Sequence, residues 1–204
     1  MQDEFDSGSI DPRRWSTLRS ALAPSVADVR TRPGRLRLVG GHSPASVFAQ
    51  SMLLTRVEEH RTIAETTVDA DPRTTRQMAG LVAWYDRSGW IWLQLCWDPD
   101  NGRHVRVVSR DDRTTVRSGP VPVSHGPVQM RATLDGPELS FAVRADQDDA
   151  WTRVPGTFPA WTLSDDHGPR LRFTGMFLGI RADDLDGRGW SADFERFELR
   201  CVRT

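Results

Sequence analysis

Apolar and polar residues alternate along most of the chain, and Gly, Pro, Asp or Asn breaks the alternation at spacings of roughly 8–12 residues. A period of two sends successive side chains to opposite faces of an extended segment, so the pattern predicts strands. No segment holds a helical apolar period for three turns. LRLVGG at 36–41 predicts a short strand ending in a glycine turn. The run at 47–57 predicts a second strand, and IAETTVDADP at 63–72 a third that stops at Pro72. The clearest stretch is 78–111: a strand to Tyr85, a DRSG reversal, a strand at 90–97, a DPDNG reversal and a strand at 104–109. Those reversals carry the Asp, Pro, Asn and Gly that hairpin turns require. VQMRATLDGPELSFAVRAD at 128–146 predicts a further hairpin with a partner strand near Trp151, and strands at 172–183 and 191–203 close the chain. Many short, evenly spaced strands without a linker or repeat predict an all-β antiparallel sandwich or barrel, one domain over 1–204.

Composition narrows the function more than the fold. At 204 residues the chain is long enough to bury a core without a metal or disulfide staple. A net charge of -1 gives no global basic field, so neither nucleic acid nor an anionic membrane is an expected partner. All 27 basic residues are Arg, with no Lys, and Asn101 and Tyr85 are the sole residues of their types. A GC-rich coding bias and a role in carboxylate or phosphate recognition both produce such a chain. The 28 acidic residues that cancel the charge favour the coding bias. Lysine chemistry, as Schiff base or nucleophile, is excluded. Cys96 and Cys201 have no metal-ligand spacing, and a disulfide between them is left open. No apolar run approaches the ~18 residues of a membrane span, and the acidic start MQDEFDSGSI is unlike a signal peptide, so a cytoplasmic location is the expectation.

Eight motifs then accumulate in order. They are DEFD at 3–6, IDPRRWSTLR at 10–19, RPGRLRLVGG at 32–41, QSMLLTR at 50–56, QMAGLVAWYD at 77–86, WTLSDD at 161–166, FTGMFLGI at 173–180 and ADFERFEL at 192–199. Together they resemble the C-terminal β-sandwich of family 43 glycoside hydrolases of the β-xylosidase and α-L-arabinofuranosidase type. The resemblance runs from 3 to 199. It implies a concanavalin A-like (jelly-roll) sandwich of two antiparallel sheets that follows a five-bladed propeller carrying the catalytic carboxylates. No propeller sequence is present, so no catalytic residue is expected on this chain. The resemblance also implies that the loop after 50–56 reaches toward the active-site mouth of the partner propeller. That segment typically reads Arg, two Gln, His and then aromatics. Here Arg56 and His60 match, Glu58 and Glu59 stand in place of the Gln pair, and Arg61 and Ile63 in place of aromatics.

Three further constellations carry chemistry. Alternation places Trp90, Trp92 and Gln94 on the face opposite the core residues Ile91, Leu93 and Leu95. Indole rings beside an amide suit a stacked sugar, whereas a covering loop, domain or partner protein is the structural alternative. Glu65, Thr67, Asp69 and Asp71 share one strand face. Carboxylates two residues apart along a strand lie roughly 6.6 Å apart, superficially within the range of an inverting glycosidase, but a solvated face is the favoured reading. Asp3, Asp6 and Asp193 are candidates for a structural calcium where the first and last strands meet, whereas the Asp-rich pieces at 98–102 and 183–187 read as turns. Of five histidines, His60 alone lies on a matched segment. The favoured function is a non-catalytic accessory domain that supports or caps a propeller glycosidase, with Arg56, Glu58, Glu59, His60 and Arg61 as its contact residues. A stand-alone carbohydrate-binding module using Trp90, Trp92 and Gln94 is the competing reading, and a self-contained hydrolase the last. Beyond the calcium no cofactor is expected, and contact between copies of the chain is a further expectation.

Overall fold

The computed structural model describes residues 1–145, 149–168 and 172–202. The predicted strand ends at 146 and 203 lie outside the described residues. The strands are β1 (Gln2–Asp3), β2 (Ala27–Asp28), β3 (Arg35–Val39), β4 (Ser51–Arg56), β5 (Arg61–Asp69), β6 (Gln77–Asp86), β7 (Gly89–Asp98) and β8 (Gly102–Asp111). They continue as β9 (Thr114–Arg117), β10 (Val121–Pro122), β11 (Val128–Asp135), β12 (Glu138–Arg144), β13 (Thr152–Arg153), β14 (Phe158–Pro159), β15 (Phe177–Asp184) and β16 (Ser191–Cys201). A short 3-10 turn, Ala160–Leu163, precedes β15.

The larger sheet has nine strands in the order β13-β12-β11-β5-β16-β3-β2, with β1 added on β16 and β14 on β12. The smaller has seven, β10-β8-β7-β6-β15-β4, with β9 added on β8. Every strand pairing is antiparallel. Two antiparallel sheets face to face are the architecture that the motif resemblance implies.

The sheets differ in how many of their faces are buried, and their sequences differ accordingly. In the larger sheet one face packs on the core and the other meets solvent, which produces clean alternation. On β5 Thr62, Ala64, Thr66 and Val68 are buried, and Glu65, Thr67 and Asp69 between them are partly exposed. In the smaller sheet both faces are covered. β6 is buried from Gln77 to Tyr85 and β7 from Gly89 to Cys96. The inner side of β7, Ile91, Leu93 and Leu95, joins the core between the sheets. The opposite side, with Trp90, Trp92 and Cys96, joins Met52, Val82 and Trp84 in a second apolar layer that Leu18 and Leu185 pack against.

This corrects the expectation of an exposed aromatic platform. Trp90, Trp92 and Gln94 do point away from the main core, but Trp92 is 0% exposed, Gln94 4% and Trp90 8%. The cover comes from chain segments distant in sequence. Ser16 exchanges backbone hydrogen bonds with Leu54 on the edge of the sheet, and Arg19 donates to the Val47 carbonyl at 2.8 Å. The segment 42–50 is pinned by Arg181, which donates to Gln50 Oε1 at 2.6 Å and to the His42 carbonyl at 2.7 Å.

Arg181 is itself fully buried, and its guanidinium carbon lies 5.2 Å from the Trp92 ring centre and 5.7 Å from that of Trp84. Asp183 is 2.7 Å away and equally buried, and neither of its carboxylate oxygens accepts a well-aligned hydrogen bond. Burial therefore pushes the Asp183 carboxyl up to about 7, against the opposing pull of Arg181.

A bulge shapes the last long strand. The register of β16 against β5 shifts between Glu195 and Phe197, and Arg196 between them has a φ of 40°. The extra residue lets Phe194 and Phe197 both face the core, whereas strict alternation would put them on opposite faces. On β15, Gly179 leaves room for the neighbouring strand, because a Cβ there would collide with the Leu53 carbonyl.

Two predictions follow from the second apolar layer. Trp92→Ala is expected to lower the unfolding free energy by about 3–5 kcal/mol in a denaturant titration; a loss under about 1 kcal/mol would mean that the layer is not packed. Asp183 has a folded-state value of about 7 against an ordinary 3.8, so across that interval the native state holds a proton that the unfolded chain has released. Its contribution is full below about pH 4 and declines as pH rises through about 7. The unfolding free energy of wild type minus that of Asp183→Asn should therefore fall across this window, and a pH-independent difference contradicts the assignment.

Candidate functional site

The turn at 57–60 carries the chain from β4 in the smaller sheet to β5 in the larger, at one end of the sandwich. Its backbone is tied on both sides. The Val57 amide donates to the Met176 carbonyl at 3.1 Å, the Gly136 amide donates to the His60 carbonyl at 2.8 Å, and the Thr62 hydroxyl donates to the Glu59 carbonyl at 2.8 Å. With the backbone anchored, Arg56, Glu58, Glu59, His60 and Arg61 all stand exposed. Arg56 places its guanidinium 5.6 Å from the Phe177 ring centre, and Arg61 pairs with Asp135 at 3.2 Å. The structure thus brings the five sequence-predicted contact residues onto one end.

A groove of about 500 Å³ runs beside this turn. Its apolar lining comes from Val57, Leu134, Pro137, Trp161, Leu163 and Met176, and its acidic rim from Glu58, Glu59, Asp165 and Asp166. Trp161 is 55% exposed, and Phe173, in the loop that leads into β15, is 78% exposed. Side chains hold the described part of this loop. The Tyr85 hydroxyl donates to Asp165 Oδ1 at 2.5 Å, and the Gly175 amide donates to the same oxygen at 2.9 Å. The Thr174 amide donates to the Tyr85 hydroxyl oxygen at 3.3 Å, and Arg172 donates to the Thr162 carbonyl at 3.1 Å. The hydrogen bond from Tyr85 and the Gly175 amide together hold the Asp165 carboxyl below the usual carboxylate range. His167 meets Asp111 at 2.8 Å and stands edge-on to the Trp161 ring, 5.0 Å between centres.

Trp161, Phe173 and Met176 are the residues that alternation does not single out. Their signal in the sequence is an apolar residue inside a stretch rich in Asp and Gly, where strand burial does not call for one.

The other candidate groups are engaged elsewhere. Glu65 pairs with Arg131 at 2.6 Å, Asp69 with Arg35 at 2.8 Å, and Asp71, beyond the end of β5, with Arg73 at 3.0 Å. Glu65 and Asp69 lie opposite further carboxylates, Glu198 and Asp193, across the β5–β16 register, and in each case an arginine takes up the charge. The calcium candidates do not converge. Asp193 takes a two-point contact from Arg37, at 2.7 and 2.9 Å, and a third from Arg32 at 2.5 Å. Asp3 accepts from the Trp15 indole at 2.7 Å and lies opposite Phe197, whereas Asp193 lies opposite Arg37. Asp6 is exposed. Among the described residues no group of three or more His, Cys, Asp or Glu is arranged to hold a metal. The cysteines are free; Cys96 is buried, which pushes its thiol up to about 12 and leaves it unreactive. Among the described residues no helix is long and apolar enough to cross a membrane.

Comparison with known proteins adds the family context. Residues 2–200 match the family described as the beta xylosidase C-terminal concanavalin A-like domain. A putative beta-xylosidase of Escherichia coli K12 is 33% identical over 206 residues, which cover 98% of the chain and 38% of that protein. A xylan 1,3-beta-xylosidase of a Vibrio species is 33% identical over 202 residues, covering 97% of the chain and 37% of that protein. The crystal structure of xylan beta-1,4-xylosidase from Bacillus halodurans C-125 superposes with a TM-score of 0.94 at 28% identity, over 98% of the chain and 38% of that structure. The chain thus spans well under half the length of each of these three proteins.

Tyr85 is the post on which the loop hangs. Tyr85→Phe is expected to cost about 1 kcal/mol of stability and to speed amide hydrogen exchange at Thr174 and Gly175 selectively. Unchanged exchange there would show that the loop is held by other contacts.

Proposed function

The chain belongs to the beta-xylosidase C-terminal concanavalin A-like domain family and is the accessory kind of domain found in family 43 glycosidases; from that premise we propose that it docks a catalytic domain through the groove beside the 57–60 turn. The observation that carries this reading is an exposed aromatic, Trp161, on the lining of an apolar groove, with a second, Phe173, two residues before Gly175 of the same lining. Exposed aromatics beside an apolar recess are the usual core of a protein interface. The acidic rim, Glu58, Glu59, Asp165 and Asp166, would set the orientation against a basic counterpart. His60 lines the groove and Arg56 ends the strand that leads into the turn, from where they would reach toward the partner's substrate pocket. Hydrolysis itself would be carried by a general acid and a general base on the partner, acting with inversion. The Arg61–Asp135 pair occupies the place of an aromatic and gives the mouth a polar wall.

The carbohydrate-module reading loses its support with the burial of Trp90, Trp92 and Gln94. A hydrolase built on Asp69 and Asp71 loses its own with their pairing to Arg35 and Arg73.

The test is association. The chain is mixed with the catalytic portion of the Escherichia coli relative, freed of its own matched stretch, and analysed by sedimentation. Wild type should form a complex, and Trp161→Ser and Phe173→Ser should each weaken it at least about tenfold while leaving the melting temperature of the chain unchanged. No complex with wild type, or equal affinity in both variants, contradicts the docking face.

A further inference from the structure

A second groove, of about 460 Å³, opens where the β6–β7 and β8–β9 turns meet the 16–20 segment. Its volume lies in the range of small-ligand sites. Tyr85, whose hydroxyl holds the Asp165 loop, also lines this groove, so the two grooves are neighbours. Arg19, Arg87, Arg110 and Arg113 converge on it.

These four arginines are unlike most others in the chain. Arg35, Arg37, Arg61, Arg131 and Arg181 each face a carboxylate within ion-pair distance. Among the described residues, none of the groove's four guanidiniums forms an ion pair. Arg19 donates to a carbonyl and Arg110 to the Thr115 hydroxyl. Two carboxylates also line the groove, Asp86 and Asp112, which leaves an excess of two positive charges over its surface. Asp86 is already committed, since its Oδ1 accepts from the Ser88 amide, the Ser88 hydroxyl and the Gly89 amide at 2.7 to 3.0 Å. The site is also preorganised. The Asp112 amide donates to the Ser88 carbonyl at 2.7 Å and locks the two arginine-bearing turns together. The coding bias explains why these residues are Arg rather than Lys. It does not explain why four of them gather in one groove with no ion-pair partner among the described residues.

Aromatic groups complete the groove. Trp84 lies beneath it. Phe48 is 71% exposed, and its ring centre lies 5.9 Å from the guanidinium of the groove-lining Arg19. Trp90, the register neighbour of both Trp84 and Arg110, has a buried indole donor with no acceptor.

We propose that this groove binds a sugar bearing an anionic group, with the guanidiniums on the anion and the Phe48 ring against the C–H face of the sugar. Arginine forks match a carboxylate and a phosphate alike, so a uronate and a sugar phosphate share the required chemistry. The proposal stands independently of docking, because it concerns the chain on its own and a different groove.

The test is calorimetric titration of the chain at low ionic strength with glucuronic acid, glucose 6-phosphate, glucose and inorganic phosphate. At least one anionic sugar should bind at least about tenfold more tightly than glucose, and its affinity should fall as salt is added. The double variant Arg87→Ala with Arg113→Ala should weaken that binding at least about tenfold with no change in melting temperature, both side chains being exposed. Phe48→Ala should weaken the anionic sugar and leave inorganic phosphate unaffected. Preference for glucuronic acid identifies a uronate as the natural ligand, and preference for glucose 6-phosphate a phosphate ester. The proposal is overturned if neither anionic sugar exceeds glucose or if the double variant binds as wild type does. It is equally overturned if inorganic phosphate matches the sugars and Phe48→Ala changes nothing, which would leave an adventitious anion only.

Discussion

Arg181 holds a positive charge in a space with no exposed surface, between two indole rings and against a carboxylate that receives no other hydrogen bond. A buried ion pair of this kind is weak evidence for stability in itself, since desolvation offsets much of the attraction. Its value lies in what it selects. Two acceptors of the buried guanidinium, the Gln50 side chain and the His42 carbonyl, belong to the segment that covers the layer, while its Nε finds no acceptor. An apolar cover alone could slide. This one is pinned at its two ends, and the outer face of the smaller sheet is closed by the protein's own chain.

The closure decides where function can reside. The larger sheet presents a solvated face on which acids and arginines neutralise one another, as in Glu65 with Arg131 and Asp193 with Arg37. The smaller sheet presents no free face among its central strands. The turns of both sheets gather at the end of the sandwich, where we propose recognition takes place. There the Tyr85 hydroxyl and the Asp165 carboxylate do for the long loop what strand pairing does elsewhere, and they hold Trp161 and Phe173 outward on a supported base. Apolar and basic grooves side by side at that end fit a domain that meets both a protein surface and a small anionic ligand.

Much of this was legible in the sequence. The DRSG and DPDNG reversals predict the β6–β7 and β7–β8 hairpins to within a few residues of the observed Gly89 and Gly102 starts. Alternation assigns Trp90 and Trp92 to the correct side of their strand, and the motif order identifies the segment at 56–63, of which residues 57–60 line the groove. What alternation could not reveal was the cover. It reports which face a side chain takes and says nothing about whether a segment some 40 or 70 residues earlier, such as 42–50 or 16–20, folds back over that face. The same local rule misplaces one of Phe194 and Phe197, because the bulge at Arg196 depends on pairing with β5. It overlooks Trp161 and Phe173, because an exposed aromatic in a loop obeys no period. For the calcium candidates the sequence shows only that acids stand in and near the first and last strands, whereas the partners depend on the fold: Asp193 meets Arg37 and Arg32, and Asp3 meets the Trp15 indole.

The central claim is that the end of the sandwich, and neither sheet face, meets the partner domain. Hydrogen exchange of the chain with and without the catalytic portion of a family 43 relative tests it most directly. The account predicts new protection confined to residues 57–60, 134–137 and 160–176, with the larger sheet's outer face unchanged. Protection centred instead on β5, β11 and β12 around Trp151, with the end loops unaffected, would contradict it.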